Sequence, residues 1–430
     1  MKKLQKLKQK QKLISTFTGF GLFLSVMIAC TGPNTPPSSN NKQEIEFWTM
    51  QLQPQFTNYF EKLIAEYEAA NPGWQIKWVD VPWSAMESKI LAAVSAQTAP
   101  DVVNLNPDFA SMLAQRQAWL NLDPLVPATA RQAYLPNIWQ ASSLNGKTFG
   151  LPWYITTEIT IYNTDLLKKA GLTKPPATYQ ELAQVARQIK EKTGKYAFFV
   201  TFVPEDSSQV LQSFVQMGVS LVDESGKAAF NTEAGRAVFQ YWVDLYQQGL
   251  LPQEVLTQGH QRAVQLYQAG ETALLLTGPQ FLRAIADNAP TVAKVSQPAP
   301  QISGETGKKN VAVMNLVIPQ GSDVPEPALK FALFVTNPTN QLAFAKEANV
   351  LPSTTNGLTD TYFQTAGNDP ASQARTVSAQ QLAQAEVLIP VTTDLGKLKK
   401  AIYQNLQAAM LGQKTVEQAV NDAARQWNEK

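Results

Sequence analysis

The chain has 430 residues, 44% of them hydrophobic and 16% charged, with one cysteine and one histidine. That length holds two domains with cores of their own, since single cores stop growing well below it, and the composition is globular rather than disordered. The formal charge of +2 conceals an asymmetry: Lys2, Lys3, Lys6, Lys8, Lys10 and Lys12 precede any acid, so the body beyond them is near −4, which gives no support to nucleic-acid binding.

After those lysines, Leu13 to Ala29 is apolar and uncharged and ends in Met27-Ile28-Ala29-Cys30. A basic start, an apolar core and a small residue before the cut form a secretory signal. The cysteine at its end resembles the bacterial lipobox, in which that residue is lipidated and becomes the new N-terminus. On that resemblance residues 1–29 are a lipoprotein signal peptide, Cys30 is the lipid attachment site, and the protein is exported and membrane-anchored. The alternative is an uncleaved membrane helix, since these 17 residues approach the ~20 that span a bilayer. Residues 30–43, with Pro33, Pro36 and Pro37 in a Ser/Asn run, read as a disordered tether. With Cys30 lipidated the exported body has no thiol, so its fold rests on its core.

The body opens with an alternating strand, Glu44 to Thr49, and a helix with apolar residues from Phe56 to Tyr67, stopped by Asn71-Pro72-Gly73. Gln75 to Val81 is a second strand, and Ser84 with Glu87 is a capping box opening a helix through Val94. Asp101 to Leu105 is a near-continuous apolar run, as a buried parallel strand would be. This order predicts a doubly wound α/β lobe whose ligand edge carries Trp48 to Gln53, Val81 to Trp83 and Asn106 to Asp108. Next come the Asn145-Gly146 turn and an apolar piece ending at Pro152. Trp153 and Tyr154 then lead into an alternating strand through Ile155, Thr157, Ile159 and Ile161.

A second unit follows. Thr178 and Glu181 cap a helix to about Lys192, Tyr196 to Phe202 reads as an apolar strand, and Thr232 to Gly249 as a helix. Leu274 to Leu276 is a buried strand ending at Gly278-Pro279, and Pro298 to Lys309 is loop-like. Val311 to Ile318 is a strand, Pro327 to Val335 a helix, and Asn349 to Ser353 a strand stub. The tail is helical, from about Asp394 to Leu411 and from Val416 to Trp427.

With one histidine, structural zinc and a Ser-His-Asp triad are disfavoured, and His260 reads as a surface residue rather than a general base. No phosphate-binding glycine loop, nucleophile elbow or metal-ligand cluster is present, so no cofactor or metal is expected. Paired carboxylates remain compatible with a glycosidase or lyase, although Glu158 reads as structural. Trp48, Trp83, Trp153, Tyr154 and Phe202 fall at strand ends or the crossover. Each singly fits a core as well as a site, but their joint placement beside Gln, Asn and Asp favours a neutral polar ligand.

Phe47-Trp48-Thr49, Ala70-Asn71-Pro72-Gly73, Ala99-Pro100-Asp101-Val102-Val103 and Trp119 to Leu125 occur in that order. Gly146 to Trp153, Tyr162 to Leu172, Gly270 to Leu274 and Leu351-Pro352-Ser353 then follow. Together they resemble the family 1 extracellular solute-binding proteins of ABC importers, the maltose- and glycerol-phosphate-binding type. The resemblance implies an α/β fold of two lobes joined by hinge crossovers, with residues 44–152 and 315–352 in the first lobe and 153–314 and 353–430 in the second. It implies a monomeric receptor, not an enzyme, that closes on a small neutral carbohydrate and delivers it to permease subunits. It places Trp48, Gln51, Gln53, Asn106 and Asp108 on the first wall of the cleft. Trp153, Tyr154, Thr156, Phe202, Glu205 and Gln280 face it from the hinge and second lobe, and Asn315 from the second crossover. Gln280 and Leu105 depart from maltose-type relatives, which argues for a mono- or disaccharide or a sugar–polyol rather than a long glucan. The same cleft positions offer no Arg or Lys for a phosphate.

Overall fold

The computed structural model describes residues 43–429 apart from 107, 108, 111, 112, 114, 115 and 390–393. The signal, the tether up to residue 42 with Cys30, and Asp108 lie outside the described residues, and the tether's last expected residue, Gln43, belongs to the first strand.

The first unit forms as its patterning predicts: β1 (Gln43–Met50), α1 (Thr57–Ala70), β2 (Trp74–Val81), α2 (Trp83–Ser95) and β3 (Val102–Leu105). β1 is parallel to both β2 and β3, and every residue of β3 is buried, as an inner parallel strand requires. One local expectation fails: α2 starts at Trp83 with Pro82 at its N-cap, so Ser84 lies inside the first turn. Asn145 and Gly146, at φ 52° and 74°, make the tight turn joining Ser143–Leu144 to Lys147–Thr148.

From Leu151 onward the chain supplies β4 (Leu151–Thr157), β5 (Ile159–Asn163), α3 (Tyr179–Thr193), α4 (Gln209–Gln216) and α5 (Glu233–Gln247). Then come α6 (His260–Gln268), β6 (Leu274–Thr277), α7 (Phe281–Asn288), β7 (Ser296–Pro300) and β8 (Lys309–Val317). The remainder gives α8 (Pro325–Val335), α9 (Pro338–Ala348), β9 (Leu351–Pro352), α10 (Pro370–Gln381), β10 (Ala385–Glu386), α11 (Leu395–Met410) and α12 (Val416–Asn428).

A large mixed sheet runs β9-β4-β8-β3-β1-β2, with β10 beside β8, and a smaller antiparallel sheet runs β6-β5-β7. Each sheet has its own apolar core, and a small third cluster with Ile155, Val311, Val313 and Phe363 sits between β4, β8 and the chain after β9. This is the two-lobed α/β fold expected.

The crossovers are displaced from where the sequence suggests. The alternation from Ile155 to Ile161 predicts one strand, yet it is two: Thr157 pairs with Val311 in the large sheet, whereas Ile159 pairs with Pro300 and Thr277 in the small one. The first chain passage between lobes is therefore at Glu158, not after Pro152. The second lies between Pro300 and Lys309, so Asn315 is inside the large sheet, opposite Leu105 and Pro152 and 0% exposed.

Two further segments differ. Tyr196 to Phe202, buried from Ala197 onward, forms only a bridge from Tyr196 to Thr272. The supposed loop from Pro298 begins as the edge strand β7, a place where prolines lacking an N–H are tolerated.

Capping follows the sequence closely in α3. Thr178 Oγ1 accepts from Glu181 N at 3.1 Å, and Glu181 Oε2 accepts from Ala177 N at 2.7 Å. Thr178→Ala is expected to cost about 1 kcal/mol, read as a lower urea midpoint at unchanged slope.

Candidate functional site

The edge loop after β1 is fixed by one carboxylate. Asp80 Oδ1 accepts from Thr49 Oγ1 at 2.7 Å and Leu52 N at 2.9 Å, and its Oδ2 accepts from Gln53 N at 3.1 Å. Gln51, at φ 53°, accepts the Trp83 amide on its Oε1 at 3.2 Å. Gln51 and Gln53 are exposed, and Trp83 is 45% exposed. Asn106 is half-buried and accepts the Phe109 amide at 2.8 Å.

The other aromatic candidates turn inward. Trp48 is 5% exposed, its Nε1 donating to Glu46 Oε1 at 2.6 Å with Lys89 Nζ 4.2 Å from its ring. Trp153, 1% exposed, stacks on Phe344 with centroids 5.0 Å apart and meets Phe47 and Phe60; Tyr154 packs edge-on to Trp153 and Phe344. Phe202 is 0% exposed and sits edge-on to Trp242 at 5.6 Å. Trp153, Tyr154, Phe202 and Asn315 thus fill cores rather than presenting a wall in this structure. Rings at strand ends here close the gap between sheet and helix, and their large buried area makes that placement favourable. Glu205 is exposed, 3.8 Å from Lys400.

What lines an open space at the crossovers is a polar set. A cavity of about 300 Å³ is walled by Thr156 and Thr157 from β4, Glu158 at the crossover, and Asn310 and Ala312 from β8. The second lobe contributes Asp206, Gln209, His260, Thr277, Gln280 and Phe281 among others. Of the positions expected from the sequence, Thr156 and Gln280 are brought together here; Trp48, Gln51, Gln53, Asn106 and Glu205 are not among its walls. A larger cavity, about 590 Å³, lies around Trp119, Leu125, Leu144 and Lys147 and includes no crossover residue.

Hydrogen bonds knit the crossovers together. Gln381 of α10 donates through Nε2 to Glu158 O at 2.8 Å and accepts Gln301 N on its Oε1 at 3.2 Å. Gln301 Oε1 in turn accepts Asn310 N at 2.6 Å. Gln209 Nε2 donates to Glu158 Oε2 at 3.1 Å and to Leu276 O at 3.0 Å. Burial pushes the Glu158 carboxyl above its ordinary range, against the opposing hydrogen bonds of Gln209 and Gln301.

His260 opens α6, its amide donating to Asp206 Oδ1 at 2.8 Å, and its Nε2 lies 3.0 Å from Thr277 Oγ1. It is half-buried in the cavity wall, not a free surface residue. Burial holds its pKa below the usual histidine value despite the nearby Asp206. Sequence reasoning missed Asp206, Gln209, His260 and Thr277 as a group because they come from three separate segments. Only Thr277, the polar end of the Leu274–Leu276 run before Gly278-Pro279, carried a local signal.

Two lobes, each with its own sheet and core, joined by stitched crossovers beside a polar cavity, define a two-lobed solute receptor. The chain belongs to the bacterial extracellular solute-binding protein family, whose model matches residues 53–342. It is similar to a candidate oligosaccharide periplasmic-binding protein of Synechococcus sp. MITs9220, solved alone and with zinc. Those structures are 46% identical with a TM-score of 0.84, covering 89% of this chain and 98% of that one. A probable ABC transporter-binding protein of Deinococcus radiodurans is 27% identical, covering 67% of this chain and 71% of that protein. The arabinooligosaccharide-binding protein of Bacillus subtilis is 24% identical, covering 55% and 54% respectively. Among the described residues of this chain no group of three or more His, Cys, Asp or Glu could hold a metal.

Proposed function

We propose that this protein captures a mono- or disaccharide, or a sugar–polyol, by lobe closure and delivers it to an ABC importer while tethered by lipid at Cys30. The observation that carries this reading is the cavity at the crossovers. Its volume, about 300 Å³, is at the small end of ligand sites, and its walls offer hydroxyls, amides and two carboxylates but no lysine or arginine. Such a lining matches groups that both donate and accept, as sugar hydroxyls do, and gives a phosphate no cationic partner. The sugar-binding names among the relatives support the ligand class, and the Deinococcus relative supports the importer.

Closure follows from differential affinity: a sugar bonded to both lobes stabilises the closed state by as much as it prefers that state. The sugar would be held by Thr156 and Gln280 with Glu158, Asp206, Gln209 and Asn310. Trp83, Gln51, Gln53 and Asn106 form the facing edge of the first lobe.

Calorimetry against glucose, galactose, arabinose, maltose and sorbitol tests the reading, and a folded protein that binds none of them overturns it. Chromatography of the same mixtures for products tests a hydrolase, since Glu158 and Asp206 share one cavity; tight binding without turnover favours the receptor. Trp83→Ala is expected to lower affinity by about 0.5–1.5 kcal/mol, the contribution of one stacked ring, with loss of the binding-induced fluorescence change.

A further inference from the structure

The chain's one histidine is placed where a receptor's walls must lose water on closure. Its Nε2 is committed to Thr277 Oγ1 at 3.0 Å, its backbone to Asp206, and its ring packs edge-on to Phe281 with centroids 5.7 Å apart. Among the described residues Nδ1 has no partner. The ring is thus pinned on one side and lines the cavity wall, with a second nitrogen that no protein group occupies among the described residues.

We propose that His260 is a specificity-determining residue of this cleft, bonding a sugar hydroxyl through Nδ1, and that its imidazole must be neutral for the lobes to close. The proposal rests on the sugar-receptor reading above. Thr277 can donate to Nε2 or accept from it, so Nδ1 is a donor in one tautomer and an acceptor in the other. A hydroxyl satisfies either, which suits a sugar and makes neutrality the condition that matters.

The charged groups around the ring decide the sign. Asp206, on the loop before α4, favours the imidazolium, and Glu158 shares the cavity from the crossover. Thr277 on β6 and Phe281 on α7 are uncharged, and Arg262 on α6 itself is held by Glu254 at 2.6 Å. Burial outweighs Asp206 in the free protein. Closing on a sugar removes more water, so the pKa falls further in the bound state than in the free state. Proton and sugar then oppose one another: affinity is full above the free-state pKa and drops as pH falls below it, by up to about tenfold per pH unit.

The test is calorimetry from pH 4.5 to 8 with the tightest-binding member of the sugar panel, on wild type, His260→Gln and His260→Ala. The single imidazole signal is followed by NMR in parallel. The expected result is an acid-side loss in wild type, a flat profile in both variants, and a histidine pKa below the ordinary value that moves lower with sugar bound. At pH 7.5 both variants should bind about 2- to 10-fold more weakly than wild type, because neither places a polar atom where Nδ1 stands. A slope that persists in His260→Gln assigns it to a carboxylate and overturns the proposal, as does a flat wild-type profile. Binding of no panel sugar fails the sugar reading and this inference together, whereas binding with an unmoved histidine signal fails this inference alone.

Discussion

Trp153→Ala is expected to destabilise the protein by about 3–5 kcal/mol, the range for removing a large aromatic from a core, while leaving sugar affinity of the folded molecules within about twofold. The ring is sandwiched among Phe47, Phe60, Tyr154 and Phe344, so no neighbour can collapse into the void without breaking its own packing. Its indole nitrogen is buried without a partner among the described residues, an unfavourable feature, so Trp153→Phe should lose distinctly less than Trp153→Ala. Urea unfolding with calorimetry on the same samples separates the two roles. A tenfold or greater loss of affinity at unchanged stability would return Trp153 to the binding wall. Phe202→Ala, equally enclosed against Trp242, should behave in the same way.

That prediction marks where the sequence is informative and where it is silent. Period and punctuation located β1 to β3, the Asn145-Gly146 turn and the Thr178 cap because each is set by neighbours a few residues apart. The large sheet's inclusion of β4 and β8 depends on pairings between residues more than 150 positions apart, such as Thr157 with Val311, which no local pattern encodes. Hence the alternation through Ile155 and Ile161 read as one strand, although Glu158 divides it between two sheets. The site shows the same limit. A tryptophan near a strand end has one appearance in sequence whether its ring is left exposed, as that of Trp83 is, or turned into a core, as that of Trp153 is. His260, Asp206 and Thr277 converge only through the fold.

Glu158→Ala is expected to weaken sugar binding by about 1.5–3 kcal/mol, roughly ten- to more than a hundredfold, the range for losing a hydrogen bond to a charged group. The residue stands at the chain's passage between lobes, in the cavity wall, with one carboxylate oxygen held by Gln209 and its carbonyl held by Gln381. A ligand hydroxyl bonded there acts on the residue at which the chain passes from one sheet to the other. The pH behaviour provides a separate reading. Because burial raises its pKa in the folded protein, the folded state holds a proton over a range where the unfolded state has released it. Stability from this group is therefore full below the unfolded value, near pH 4.5, and is lost as pH rises through the folded value. Glu158→Gln, which keeps the shape without the charge, should flatten that decline and leave the protein at least as stable as wild type at pH 7.5. Its sugar affinity should fall less than that of the alanine variant, because an amide oxygen still accepts. Unfolding curves between pH 4 and 8 on both proteins decide the point: an identical pH slope in wild type and Glu158→Gln would mean that the carboxylate is not buried as a charge at the hinge, and its proposed coupling of ligand to closure would fail with it.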